Sequence, residues 1–287
     1  MAPSLRALVS YASNFLSQLP LFDSNLRNVS PYEPLSGAPR CPIDDGPMSC
    51  HNKTAVAGDS CCFVHPGGRI LLIQSWDQRV PASGIEEDWT LRGLRPVLCD
   101  GTHHDQYCHL APYYTDIATV LRNYGQDNLL KFMSRYWPAA SGPNSLLWET
   151  EYNNYATCIN TLSPRCYGAA HKPGLEVVDY FTRAAALFRT LDTYRALEKA
   201  GIVPDSGRHY ALADVQRALE RFTGGRVVLK CNGGGADILQ EVRYVYFIKG
   251  SLQTGQFVPA QDLGREEEAG NCAPLVRYLP KRPKGEL

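Results

Sequence analysis

Seven histidines are the side chains that could transfer protons or bind a metal ion near neutral pH. His103 and His104 are adjacent, and His109 lies five residues further along the chain. A metal site of these three residues is the weaker alternative, because they show no recognised carboxylate or spacing signature of a metal site, so the sequence predicts no metal site and no cofactor. His103 and His104 are most simply two exposed loop residues. The alternative is a cationic patch with Arg92 and Arg95 that binds phosphate or another anion more strongly as the pH falls.

The ten cysteines are the second group with possible chemistry. No C-x-x-C motif is present, and the adjacent Cys61 and Cys62 cannot easily place both sulfurs on one metal ion. A reducing cytosol gives little reason to keep so many cysteines. The count therefore predicts five disulfides in an oxidising compartment, and spacing alone leaves their pairing open.

Two other patterns invite a functional interpretation. Gly233-Gly234-Gly235 follows a predicted strand, but no Lys-Ser or Lys-Thr follows it, so a turn bounded by a disulfide is favoured over a phosphate-binding loop. Tyr244 and Tyr246 alternate along a predicted strand and share one face, where packing is favoured over the stacking of RNA bases.

The composition excludes several classes of protein. Lys plus Arg (29) balances Asp plus Glu (29), so the chain does not hold nucleic acid mainly through bulk positive charge. With 44% hydrophobic and 20% charged residues, the chain has an ordinary globular composition. No apolar run approaches the roughly 20 residues that cross a bilayer, so no membrane span is expected.

The elements that must position these residues follow from periodicity and turn signals. Residues 80–112 are rich in turn formers and are predicted to be irregular. Helices are predicted around residues 117–121 and 129–133, after Pro173-Gly174, and over Ala211–Phe222. Strands are predicted over Arg69–Trp76, Arg226–Lys230 and Val242–Ile248.

The same pass along the chain predicts one α+β domain over residues 36–280. Residues 1–35 form a leader and an irregular arm, which contains either a degenerate secretory signal or an amphipathic helical tail. Residues 281–287 form a short basic tail. The sequons at Asn28 and Asn52 agree with a glycoprotein of the secretory pathway, and Lys284–Leu287 differs by one residue from an ER-retention signal.

Two segments carry a resemblance to a known family. Trp89–Pro96 (WTLRGLRP) and Leu147–Cys158 (LWETEYNNYATC) resemble the active-site motifs of the ribonuclease T2 family, secreted endoribonucleases, and the chain looks like its fungal members over roughly residues 40–280. The resemblance implies a central, mostly antiparallel sheet flanked by helices. It also implies a disulfide pairing: Cys41–Cys62, Cys50–Cys99, Cys61–Cys166, Cys108–Cys158 and Cys231–Cys272.

The catalytic positions implied by the resemblance have changed. Cleavage of RNA through a 2′,3′-cyclic phosphate needs a base and an acid, which are histidines in the family. Here the histidine positions are Arg92, Thr150 and Tyr155, the lysine position is Asn154, and only Glu151 matches the motif. Arginine stays protonated and cannot exchange the proton, so the family mechanism is predicted to be lost.

The positions of the base pocket differ as well. The stacking tryptophan of the family is Arg95, the aspartate that should follow Pro96 is Val97, and His103-His104 replaces an aromatic residue. The sequence therefore predicts a pseudoenzyme that binds RNA, another anionic ligand or a protein. A weakly active or altered endoribonuclease and a purely structural module are the alternatives, and the oligomeric state stays open. Localisation is predicted to be extracellular or vacuolar.

Overall fold

The computed structural model describes residues 37–39, 41, 46–51, 61–77, 87–102, 104–264 and 270–281. The predicted leader, the sequons at Asn28 and Asn52, His103 and the Lys284–Leu287 tail lie outside these residues. No helix among the described residues is long and apolar enough to cross a membrane.

A five-stranded antiparallel sheet forms the centre of the molecule, with strand order β2-β1-β5-β4 and β6 paired to β5. A small second sheet pairs β3 with β7. The strands are β1 Arg69–Ser75, β2 Thr90–Val97, β3 Tyr210–Ala211, β4 Val227–Asn232, β5 Ile238–Lys249, β6 Gln256–Pro259 and β7 Leu275–Val276.

Within the part of the chain that the structure describes, six α-helices flank the central sheet. They are α1 Ile117–Asn123, α2 Asp127–Tyr136, α3 Asn144–Tyr155, α4 Leu175–Arg189, α5 Thr193–Lys199 and α6 Leu212–Thr223. The predicted α+β fold is confirmed. Three 3-10 segments, Ala156–Cys158, Asn160–Leu162 and Pro164–Ala170, continue the chain from α3 towards α4.

Both faces of the sheet are covered by apolar side chains, which explains why β1 is buried along its whole length. One face packs with the helices into the main core, to which Leu72 and Tyr244 contribute. The other face carries a smaller cluster that includes Leu71, Val97 and Phe247. Successive side chains of a strand point to opposite faces, so the run RILLIQS supplies both cores.

The predicted helices and strands agree with the structure, apart from shifted ends. The helix predicted over Ala211–Phe222 is α6, which ends at Gly224 with φ +71°. Glycine tolerates this left-handed conformation at the end of a helix. The glycine triplet lies in the turn between β4 and β5, and Tyr244 and Tyr246 are both buried, as predicted.

The prediction that residues 80–112 are irregular is wrong, because β2 lies within them. The strand was not recognised because it contains Gly93 and Pro96, and both residue types normally indicate turns. A proline is tolerated in β2 because it is an edge strand of the sheet. Helix α3, which carries the second motif, was not predicted from its polar sequence.

All five disulfides join the pairs that the resemblance implied. Two of them matter for the site. Cys108–Cys158 joins the loop after β2 to the 3-10 turn after α3, and Cys50–Cys99 anchors the end of β2. The loops around the two motifs are therefore held covalently to the body of the protein.

Candidate functional site

Strand β2 and helix α3 bring the two motifs together. The pairing of β1 with β2 shifts between Ile73, which faces Gly93, and Gln74, which faces Leu91. Arg92 is therefore the extra residue of a β-bulge. Bulges bend a strand and redirect a side chain, and they are common beside active sites.

Arg95 and Glu151 form a bidentate ion pair between β2 and α3. Arg95 Nη2 donates to Glu151 Oε1 at 2.6 Å, and Arg95 Nε donates to Glu151 Oε2 at 3.0 Å. The Glu151 side chain is 5% exposed and that of Arg95 is 27% exposed, so water screens the pair weakly. Both carboxylate oxygens accept from one guanidinium, which is the arrangement of an ionised carboxylate.

Glu151 pairs with Arg95 rather than with Arg92, the other cation of β2. Gly93 and Arg95 lie two residues apart and so share one face of β2. A Cβ atom on Gly93 would clash with Oε2 of Glu151, so the absence of a side chain leaves the room that the carboxylate occupies. From that position Glu151 reaches Arg95, whereas Arg92 is displaced by the bulge.

Burial and charge act in opposite directions on the pair. Burial raises the pKa of Glu151, and the charges of Arg95 and Arg92 oppose this rise. Burial also lowers the pKa of Arg95, but the charge of Glu151 and its hydrogen bonds outweigh this effect and the pKa is raised overall. The raised pKa of Glu151 favours a neutral carboxyl group, whereas the raised pKa of Arg95 indicates a charged partner. The bidentate geometry decides in favour of a charged pair at neutral pH.

Tyr155 completes this cluster. The guanidinium carbon of Arg95 lies 4.4 Å from the centroid of the Tyr155 ring, within the range of a cation–π contact. Arg95 is predicted to stand at a base-pocket position and Tyr155 at a catalytic position of the motifs. In this fold the two replacements contact each other, so they form one structural unit.

The other predicted catalytic positions are partly exposed to solvent. Arg92, Thr150 and Asn154 are half-buried. Arg92 attracts Glu151 electrostatically, but its side chain donates no hydrogen bond to any residue in the described part of the chain. The side-chain oxygen Oδ1 of Asn154 is buried and lacks a hydrogen-bond partner there. A cation and an amide oxygen thus remain available beside the closed pair.

The base-pocket positions divide between core and surface. Val97 is 4% exposed and packs in the smaller apolar cluster, so it cannot select a base. Nδ1 of His104 donates to the carbonyl oxygen of Asp105 at 3.0 Å, which leaves Nε2 as the acceptor. His104 lies against Gly67 and makes no hydrogen bond with Arg92 or Arg95.

His104 belongs to a group of three potential metal ligands. Ligand atoms of His104, Cys108 and Cys158 lie within 4.8 Å of one another. The two sulfurs form a disulfide, however, and a disulfide supplies no thiolate to bind a metal. This group is therefore a structural feature of the loop.

Sequence analysis missed an exposed aromatic surface at the end of α3, formed by Tyr107, His109 and Tyr113. Tyr107 is 55% exposed and Tyr113 is 41% exposed. The hydroxyl of Tyr113 donates to the Tyr107 carbonyl at 2.6 Å, and the Tyr113 ring lies 5.3 Å from that of His109. Tyr107 N donates to the Asn154 carbonyl at 3.2 Å, which places this surface beside the motif helix. Its sequence signal is only a local excess of aromatic residues.

Comparison with known proteins decides the family. The model of the ribonuclease T2 family matches residues 67–262, which include both motifs. This chain belongs to the ribonuclease T2 family. The resemblance that the motifs and cysteines carried is thereby confirmed.

The relatives within the ribonuclease T2 family are fungal proteins named as ribonucleases. The chain is 42% identical over 245 residues to Ribonuclease T2 of Aspergillus oryzae, covering 85% of each chain. It is 42% identical over 242 residues to Ribonuclease Trv of Hypocrea rufa, covering 84% of this chain and 98% of that one.

Solved structures of T2 ribonucleases share the fold. The crystal structure of Actibind, a T2 ribonuclease, is 36% identical with a TM-score of 0.74, covering 83% of this chain and 96% of that one. RNase NT, solved with 5′-AMP, is 20% identical with a TM-score of 0.51, covering 74% of this chain and 98% of that one. The likeness to RNase NT concerns the fold alone.

Proposed function

We propose that this member of the ribonuclease T2 family is a pseudoenzyme that binds single-stranded RNA without cleaving it. One observation carries the proposal: Glu151, the only catalytic-motif residue that matches the family pattern, is bound by Arg95 on both carboxylate oxygens. Both oxygens of this carboxylate already accept hydrogen bonds from Arg95, so neither is free to interact with a reacting phosphate.

Proton transfer fails for a separate reason. General acid–base catalysis needs a group that gains and loses a proton near the working pH, and each such group contributes roughly 10²–10⁴ in rate. Arg92 stays protonated throughout this range, and the Thr150 hydroxyl does not titrate there. A phenol hydroxyl, the group that Tyr155 offers, ordinarily loses its proton only near pH 10. Arg92, Thr150 and Tyr155 therefore cannot take over the proton-transfer role of a histidine imidazole.

Binding of RNA is supported by what remains open. Arg92 is half-buried, and it offers a phosphate a cation whose donors make no hydrogen bond among the described residues. The rings of Tyr107 and Tyr113 offer stacking surfaces beside the motif helix. Stacking on an aromatic ring contributes about 1–3 kcal/mol per base. A phosphate contact next to exposed rings suits a flexible single strand better than another anion or a folded protein.

A second candidate is a weakly active or altered endoribonuclease. The relatives at 42% identity are named as ribonucleases, and this observation favours it. Such an enzyme would have to use Glu151, Tyr155 and His103 or His104. A purely structural or interaction module is the third candidate, and it is the outcome if no RNA binds.

We also propose that the protein acts in the secretory pathway, outside the cell or in the vacuole. Five disulfides support an oxidising compartment. We likewise propose domain limits of 36–280, glycosylation at Asn28 and Asn52, and ER retention through Lys284–Leu287. Mass measurement of the mature protein tests the leader and the glycans together.

Cleavage is tested by assaying the oxidised protein on single-stranded RNA from pH 4 to 8. We expect no turnover beyond that of the Glu151→Gln and Tyr155→Phe variants, which serve as controls for contaminating ribonuclease. A variant with Arg92→His, Thr150→His, Asn154→Lys and Tyr155→His, together with Arg95→Trp to release Glu151, provides the comparison. Turnover by the wild type that matches this variant and disappears with Glu151→Gln would refute the pseudoenzyme.

Binding is tested by titrating RNA against salt. We expect a measurable affinity that falls with salt, and the Arg92→Ala variant should reduce the slope by about one phosphate contact. Lys131→Ala is the matched control, because Lys131 is exposed on α2 and distant in sequence from both motifs. A flat titration without affinity would favour the interaction module.

A further inference from the structure

A cleft of about 700 Å³ lies on the side of the sheet away from β2. It is formed by the ends of α4 and α6 together with β5 and β6, and none of its lining residues belongs to the motifs. Volumes of this size are typical of sites for small organic molecules. The residues used below are Arg183, Thr190, Phe222, Tyr246, Thr254 and Phe257.

Aromatic rings dominate the cleft. Tyr246 and Phe257 lie in edge-to-face contact, with ring centroids 5.9 Å apart. Phe222 is 41% exposed, one of few large apolar side chains that are exposed in the described part of the chain. Aromatic rings in a concave surface favour a flat ligand, because rings stack or meet edge to face.

The hydroxyl of Tyr246 is a polar group of the cleft without a partner among the described residues. Tyr246 is 5% exposed and lines the cleft, yet it makes no hydrogen bond with any described residue. Burial alone raises the pKa of this hydroxyl. The hydroxyl opens onto the cleft, where a ligand oxygen can accept its hydrogen bond.

Apart from the exposed amide of Gln256, the other polar side chains of the cleft already make hydrogen bonds. Arg183 donates to the carbonyl oxygens of Leu252 and Gly255, and its guanidinium carbon lies 4.7 Å from the Phe257 ring centroid. The hydroxyl of Thr190 donates to Leu187 O at 2.7 Å, and that of Thr254 to Pro39 O at 3.0 Å. No carboxylate lines the cleft. These contacts favour an uncharged ligand.

We propose that this cleft is a binding site for a neutral, flat molecule of two or three aromatic rings that carries one oxygen for the Tyr246 hydroxyl. The site is independent of the RNA site, since it shares no residue with β2 or α3. A ligand here would bind whether or not the protein binds or cleaves RNA.

The probe for the test is prodan, a neutral naphthalene ketone whose emission moves to shorter wavelength in apolar surroundings. With the full, oxidised chain we expect saturable binding of one prodan per protein with blue-shifted emission. Phe222→Ser should weaken binding about tenfold by removing an aromatic contact. Tyr246→Phe keeps the ring and should weaken binding about fivefold through the lost hydrogen bond.

Two further variants make the result decisive. Leu275→Ser removes a 57% exposed apolar side chain outside the cleft, and it should leave prodan binding unchanged. Thr190→Trp should fill the cleft and abolish binding. Equal effects of Phe222→Ser and Leu275→Ser, or no saturable binding at all, would overturn the proposal. Phe222 and Leu275 are both exposed, so neither substitution should prevent folding.

Discussion

Oε1 of Glu151 lies 2.6 Å from Nη2 of Arg95, and the ring of Tyr155 covers the other side of the same guanidinium. Three positions that serve catalysis and base recognition in the family motifs are thus joined into one closed cluster. A reverse substitution at a single position would leave the other two in contact. The cluster accounts for three expected outcomes, and a buried lysine outside it accounts for a fourth.

Gly93→Ala should destabilise the protein by about 3 kcal/mol, because its Cβ atom would clash with Oε2 of Glu151 and break the buried pair. Urea unfolding measures the change. Gly234→Ala is the matched control, since a Cβ atom there meets nothing within 4 Å, and its effect should stay below about 0.5 kcal/mol. Equal stability of the two variants would contradict the geometry of the pair.

Arg95→Met should cost about 3 kcal/mol at pH 8, because it leaves the buried Glu151 carboxylate without a partner. The pKa of Glu151 is already raised by burial, and it should rise further in this variant. The folded variant then binds more protons than the unfolded chain, so its stability falls as the pH rises.

The difference between wild type and Arg95→Met should therefore shrink as the pH falls from 8 to 4.5. Unfolding curves across this range measure the effect. Arg217→Met is the control, because the Arg217–Asp214 pair is exposed (57% and 60%) and should contribute little at any pH. A difference that does not depend on pH would show that Glu151 is not the titrating group.

Restoration of cleavage should require a change at Arg95. The variant with Arg92→His, Thr150→His, Asn154→Lys and Tyr155→His still carries Arg95, which holds Glu151. Adding Arg95→Trp should release the carboxylate and raise turnover by on the order of 10². Initial rates on single-stranded RNA at acid pH compare the two variants, and equal rates would mean that Arg95 does not block Glu151.

Lys281 should make stability depend on alkaline pH. Burial lowers the pKa of Lys281 to about 8, and Nζ lies 4.4 Å from the Trp76 ring centroid. Between this value and the ordinary pKa near 10.4, the unfolded chain binds more protons, so stability rises with pH.

Relative to Lys281→Met, the wild type should gain up to about 3 kcal/mol across that interval. Comparison of the two unfolding profiles cancels the tyrosines that titrate in the same range. Lys131→Met, at an exposed position, should follow the wild type. Parallel profiles for wild type and Lys281→Met would rule out a buried, shifted lysine.

Much of the fold could be predicted from local patterns. The run from Arg69 and the helix that ends before Gly224 follow from periodicity and a glycine signal, both of which act over a few residues. Strand β2 could not be found in this way. Its pairing with β1 overrides the turn preferences of Gly93 and Pro96, and that pairing is tertiary.

Some features of the candidate site can likewise be predicted from the sequence, whereas others cannot. The loss of imidazole at Arg92, Thr150 and Tyr155 is visible in the sequence, because residue type alone decides whether a side chain can exchange a proton near neutral pH. The partner of Glu151 is not visible there. The choice of Arg95 over Arg92 depends on a bulge and on the alternation of side chains along an edge strand.

By itself, the sequence determined the cysteine framework and the family, and it predicts the absence of the family's proton-transfer groups. These properties depend on residue identity and local order along the chain. Only the tertiary structure decided that Arg95 closes over Glu151, that Tyr107 and Tyr113 are exposed, and that the Tyr246 hydroxyl has no partner in its cleft. Contacts and solvent exposure arise between segments far apart in sequence, and local preferences carry no information about which segments meet.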